Sequence, residues 1–109
     1  MNPHFISPKD FSGPTIPDWM IERPEISPGA KLLYCLLSQH TCHPDYPQYF
    51  VATGLHQRKI AKALGASERS VRNWVEELEE AGLIRCDVVG WAKTNHYFFL
   101  EHPWQKSQF

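Results

Sequence analysis

The amino-acid sequence predicts one mainly α-helical domain with a small β-hairpin, an α+β fold. Two stretches of apolar residues at helical spacing flank a short turn that contains Gly65. After Gly82 the spacing of apolar residues becomes strand-like. A chain of 109 residues is long enough for a single hydrophobic core. We therefore expect a three-helix core and a hairpin within residues 27–101.

Residues 1–26 are expected to form an extended N-terminal arm. Prolines from Pro3 to Pro24 exclude a long helix there, although one helical turn at 18–21 is compatible with the sequence. At the other end, residues 102–109 form a polar tail. The tail is expected to be either a frayed end or the start of a linker to a further domain.

The first helix is predicted to begin after Ser27, because serine at the N-cap followed by Pro28 is a strong start signal. Its apolar residues, concentrated in 32–37, give a broad buried face, and the helix should end near His40. Residues 49–52 then have strand character.

The second helix is predicted over 56–64, where Gly65 ends it by accepting a left-handed conformation. Ser67 is placed to cap a third helix over 68–81, which Gly82 stops. Two helices joined by a short glycine-containing turn are typical of a helix-turn-helix.

The final predicted element is a β-hairpin. Residues 83–89 and 96–100 are rich in apolar, β-branched and aromatic side chains. They flank the turn-forming stretch 90–95.

With these elements in place, the sequence resembles the winged helix-turn-helix superfamily. The resemblance is strongest over 57–100, in "IAKALGASERSVRNWVEELEEAGLI" followed by a hairpin and "TNHYFFL". The front half, "IPDWMIERPEISPGAKLLYCLL", is similar to N-terminal domains of plasmid and phage replication initiator or replisome-organiser proteins. The resemblance implies sequence-specific binding of double-stranded DNA by a recognition helix at about 67–81 and a wing at about 90–95. It implies a role in replication initiation or transcription regulation.

In this fold the third helix enters the major groove. If its apolar stripe faces inward, Arg69 and Arg72 face outward and suit guanine, while Asn73 suits adenine. Glu68 suits the amino group of cytosine. The candidate DNA-binding residues lie on the second helix, the third helix and the wing: Gln57, Arg58, Lys59, Ser67, Glu68, Arg69, Ser70, Arg72, Asn73, Lys93, Thr94 and Asn95.

The distribution of charge leaves a second function open. The net charge is −1, but the stretch 55–75 holds five basic residues and one acid, and four glutamates follow within 76–80. The basic stretch favours DNA. The glutamates, and the aromatic residues Trp91 and Trp104, which we expect to be exposed, favour the alternative of a protein-interaction winged helix without DNA binding.

The sequence assembles no nucleophile with a base, so we predict no catalytic residues and no enzymatic activity. His40, Cys42 and His43 lack the paired spacing of a zinc site, and we predict no metal and no cofactor. Cys35 and Cys86 are interpreted as reduced thiols serving as small core residues.

The longest apolar run, 32–37, is too short to span a membrane, and no export signal is evident. We therefore expect a cytoplasmic, nucleoid-associated protein. Its expected partner is double-stranded DNA, and no membrane is involved. A homodimer is left open, and so is a further domain or replication protein beyond the C-terminal tail.

Overall fold

The computed structural model describes residues 16–40, 51–52, 55–89 and 94–106. These residues form five helices and three strands, in which α2, α3 and α4 make the core bundle. The elements in chain order are α1 (Asp18–Ile21), α2 (Pro28–Ser38), β1 (Val51–Ala52), α3 (Gln57–Leu64), α4 (Glu68–Glu80), β2 (Ile84–Val89), β3 (Thr94–Phe99) and α5 (Pro103–Lys106). The predicted fold class is confirmed.

The helix boundaries follow the capping signals. The Ser27 side chain accepts a hydrogen bond from the amide of Ala30 at the start of α2. Gly65 has φ 65° and ends α3, while the Ser67 side chain caps α4. Gly82, with φ 77°, follows the last turn of α4. In each case the predicted boundary is confirmed, because these signals act within one turn of the residue that carries them.

The three strands form one antiparallel sheet in the order β1-β3-β2. In the hairpin, pairing runs from Ile84 opposite Phe99 to Val89 opposite Thr94. The predicted hairpin is confirmed, but its second strand begins at Thr94, two residues earlier than predicted. Thr94 and Asn95, assigned to the turn from sequence, therefore belong to β3; residues 90–93 lie outside the described residues.

The core lies between the helical bundle and the sheet. Leu33 and Leu37 of α2, Ile60 of α3, Leu78 of α4 and Tyr97 of β3 are all fully buried. Apolar burial of this kind is the main stabilising contribution to a small domain. It fixes which face of each helix is left for other contacts.

The two ends of the described chain meet at the side of the bundle. Met20 of α1 is fully buried, so the helical turn expected at 18–21 is present and packed. The Arg23 guanidinium lies 4.6 Å from the centre of the Trp104 ring in α5. The prediction that Trp104 is exposed is wrong, because its ring is half-buried against Arg23 and the core.

His102 connects the C-terminal segment to α4. Its Nδ1 accepts a hydrogen bond from the Trp104 amide, so Nε2 carries the proton and donates to the carbonyl of Ala81 at 2.9 Å. Ala81 is the C-cap of α4. His102 therefore links the start of the C-terminal segment to the end of α4.

Candidate nucleic-acid interface

Helix α4 has one buried and one exposed face. Val71, Val75 and Leu78 are buried, as their spacing predicts. The side chains of Glu68, Arg69, Arg72 and Asn73 are exposed on the other side. Within the described residues, neither Arg69 nor Arg72 forms an ion pair. Their contact with DNA stays a prediction, but their guanidinium groups are available for it.

The position of α4 is set by close packing against α2. A β-carbon at position 29 would overlap Cε2 of the Trp74 ring. Gly29 therefore allows the indole ring to lie against the α2 backbone, where a larger residue would displace the ring. This contact sets how closely α4 packs against α2.

Two serines, Ser67 and Ser70, form the hydrogen bonds that cap the N-terminus of α4. The Ser67 hydroxyl accepts from the Ser70 amide and donates to the Ser70 hydroxyl, both at 3.0 Å. Ser67 is exposed and Ser70 half-buried. Both were predicted as phosphate contacts, and both are also part of the cap that begins the helix.

An ion pair crosses the turn between α3 and α4. Arg58 Nε lies 3.7 Å from Glu68 Oε1, and the two side chains are 90% and 51% exposed. Exposed pairs of this kind contribute little to stability, about 0–1 kcal/mol. Both groups can therefore exchange this contact for a ligand at low cost.

A basic concavity lies beside α3. It has a volume of about 510 Å³ and is lined by His56, Arg58, Lys59 and Lys62. Of the predicted residues on α3, Arg58 and Lys59 are exposed, whereas Gln57 is half-buried. His56 was not predicted as a site residue; its position at the N-cap of α3, two residues before Arg58, was the signal that could have found it.

Of the three predicted wing residues, Thr94 and Asn95 lie in β3 and Lys93 lies outside the described residues. Trp91 also lies outside the described residues, and Thr94 begins β3. Asn95 is only 9% exposed, and its side-chain amide donates to the Tyr97 hydroxyl at 3.0 Å. This internal hydrogen bond satisfies a buried polar group, so the Asn95 side chain is not available at the surface.

Of the four glutamates at the end of α4, two accept hydrogen bonds from other parts of the domain and the other two are exposed to solvent. The Glu77 carboxylate accepts from both the amide and the hydroxyl of Ser27. Glu79 accepts weakly from the amide of Cys86, at 3.4 Å. Glu76 and Glu80 are exposed. The sequence presented these residues as one acidic block, although Glu77 and Glu79 have contacts inside the domain.

The described residues contain no group of three or more His, Cys, Asp or Glu placed to hold a metal ion. Cys42 and His43 lie outside that part of the chain. Cys86 and Cys35 are half-buried and not disulfide-bonded. Burial, reinforced by Glu79 and Asp87, raises the pKa of Cys86 to about 11, so its thiol is neutral near pH 7 and a weak nucleophile. None of the described helices has the length and apolar character needed to cross a bilayer.

Comparison with known proteins identifies the family. A family model described as a helix-turn-helix domain matches residues 25–84, which is more than half of the chain. The matched span runs from just before α2 to the start of β2 and contains α3, the turn and α4. No curated protein and no solved structure matches the chain. With the hairpin following α4 as a wing, the chain belongs to the helix-turn-helix domain family.

Proposed function

We propose that this domain binds double-stranded DNA with sequence specificity, using α4 as the recognition helix. The observation that carries the proposal is the exposed N-terminal half of α4, where Arg69, Arg72 and Asn73 face away from the core. In helix-turn-helix domains the N-terminal residues of the second helix of the motif contact base edges in the major groove.

The side-chain chemistry of this face suits base contacts. The guanidinium forks of Arg69 and Arg72 match the two acceptors of guanine, and the amide of Asn73 matches adenine. Glu68 can accept from the cytosine amino group once it leaves Arg58. The Ser67 and Ser70 hydroxyls lie at the helix N-terminus, where backbone amides favour phosphate.

The basic residues around the α3 concavity are proposed to neutralise phosphates. Arg58, Lys59 and Lys62 would supply affinity that depends on salt and not on base sequence. Gln57, at the start of α3, is proposed to contact the same strand. Lys93 and Thr94 of the wing are proposed to contact a flanking phosphate.

The cellular role is proposed as replication initiation or transcription regulation, by a plasmid or phage protein in the cytoplasm and nucleoid. The support is the similarity of the front half of the sequence to replication initiator and replisome-organiser domains. Assembly as a homodimer would provide two half-site contacts. A further domain or a replication protein is proposed to act beyond the C-terminal tail.

The experiment is a titration of a labelled random-sequence duplex, followed by fluorescence anisotropy at several salt concentrations. We expect a dissociation constant in the range of about 10⁻⁴ to 10⁻⁶ M that weakens with salt. The logarithmic slope should be about −0.9 for each phosphate neutralised. Selection from a random duplex pool should then enrich a defined sequence that binds more tightly.

A domain that binds no duplex even at low salt would contradict the proposal. The alternative is then a winged helix that binds a protein, for which the exposed carboxylates of Glu76 and Glu80 on α4 are the supporting observation.

A further inference from the structure

The exposed face of α4 changes its charge along the helix. Arg69, Asn73, Glu76 and Glu80 are spaced by four, three and four residues, so they form a single stripe. All four side chains are exposed. The half of the stripe near the turn is basic and polar, and the other half is acidic.

The length of the helix places the first of these acids at the edge of the groove. An α-helix rises about 1.5 Å per residue, which puts Glu76 roughly 12 Å and Glu80 roughly 18 Å along the axis from Glu68. The major groove is about 8.5 Å deep, so Glu76 lies a few ångströms beyond that depth when the N-terminal end of the helix is inserted. A helix inserted by its N-terminal half would carry Glu76 at the level of the phosphates and Glu80 beyond them.

Glu76 differs from Glu77 and Glu79 in having no partner among the described residues. Within the part of the chain that the structure describes, its carboxylate takes part in no hydrogen bond or ion pair. Its neighbour Glu77 is bonded to Ser27, and Glu79 accepts from Cys86. The Glu76 charge is therefore directed to solvent on the same stripe as Arg69.

We infer that Glu76 is a negative determinant of DNA binding, an inference that rests on the proposed function. Its carboxylate opposes the phosphates at the groove edge and weakens binding to every duplex. A stable complex then requires base contacts from Arg69, Arg72 and Asn73. Two like charges about 7 Å apart in water reduce an equilibrium constant about threefold, and the effect falls off beyond a Debye length of about 8 Å at physiological salt.

The test compares three variants that each remove one negative charge: Glu76→Gln, Glu80→Gln and Glu22→Gln. Glu22 is exposed at the end of α1 and serves as the charge-matched control. Each is titrated against the random duplex and against a sequence selected with the wild type, at low and high salt. Circular dichroism checks that each variant is folded.

We expect Glu76→Gln to bind the random duplex about threefold more tightly at low salt, with the difference shrinking as salt rises. Glu80→Gln should have a smaller effect and Glu22→Gln none. The base preference of Glu76→Gln should equal that of the wild type.

Three results would overturn the inference while leaving the proposed function in place. The first is wild-type binding that Glu76→Gln does not strengthen. The second is a changed base preference, which would make Glu76 a base contact. The third is an increase of equal size in Glu22→Gln, because net charge alone would then explain the gain. If neither the wild type nor any variant binds duplex DNA, the proposed function fails and the inference fails with it.

Discussion

The backbone amide of Ser27 donates to Oε2 of Glu77 at 2.6 Å, and the Ser27 hydroxyl donates to Oε1 at 2.7 Å. A carboxylate on the proposed recognition helix thus binds the N-cap of α2, fifty positions earlier in the chain. The negative charge also lies at the positive end of the α2 dipole. The two helices are therefore held together by hydrogen bonds to a charged group as well as by apolar packing.

Glu77→Gln should destabilise the domain. One of the two donors would face an amide NH₂ in place of an acceptor, and hydrogen bonds to charged groups contribute about 1.5–3 kcal/mol. We expect the free energy of unfolding in urea to fall by about 1–3 kcal/mol. Glu80→Gln, an exposed position on the same helix, is the control and should leave it unchanged. Equal stability of the two variants would show that the Ser27 contact contributes nothing.

Gly29→Ala should lower stability, although alanine normally stabilises a helix by about 1 kcal/mol relative to glycine. The added methyl group would overlap the Trp74 ring, and overpacking costs about 1–3 kcal/mol. In a Trp74→Ala background the same substitution should become stabilising. Urea unfolding of the four proteins measures the change of sign, and a Gly29→Ala protein more stable than the wild type would contradict the packing described.

Asn95→Ala should reduce stability without reducing DNA affinity. The substitution removes the donor to the buried Tyr97 hydroxyl, at a cost of about 1–3 kcal/mol. Asn73→Ala is the matched control, because Asn73 is exposed on α4. It should change stability little and weaken DNA binding. Thermal unfolding and anisotropy separate the two effects, and weaker DNA binding by a folded Asn95→Ala protein would place Asn95 in the interface.

Stability should fall at alkaline pH. Burial raises the pKa of Tyr34 and of Tyr97 to about 12, from 10.0, with the hydrogen bond from Asn95 partly opposing the rise for Tyr97. Because the folded state holds these protons more tightly, the stabilisation is complete below pH 10 and is lost as pH rises from 10 through 12. Urea unfolding at a series of pH values tests this expectation. Tyr34→Phe should reduce the pH dependence, and a dependence unchanged by that substitution would contradict the assignment.

The helices were predictable because their signals are local. Ser27, Ser67 and Gly65 act on residues within one turn, and the spacing of Val71, Val75 and Leu78 alone indicates which face of α4 is buried. The outward direction of Arg69 and Arg72 follows from the same spacing.

The remaining features depend on partners far along the chain. Nothing near Glu77 in sequence indicates that it binds Ser27, and nothing near Trp104 indicates that Arg23 covers it. Asparagine is common in turns, but Asn95 pairs with Val88 across the hairpin and therefore belongs to β3. Tertiary contacts of this kind override local preference and cannot be inferred from one segment.

The central claim is that the exposed face of α4 binds DNA. Its most direct test compares the wild type, Arg69→Ala/Arg72→Ala and Lys31→Ala in their affinity, at low salt, for the duplex sequence selected with the wild type. Lys31 lies in α2, where its ammonium group donates to the Ile21 carbonyl, and it serves as the control for loss of a positive charge outside α4. We expect the double variant to bind at least about tenfold more weakly, since each arginine at a base contributes about 1–3 kcal/mol, and Lys31→Ala to bind as the wild type does. Wild-type affinity in a folded double variant would contradict the assignment of α4 as the recognition helix.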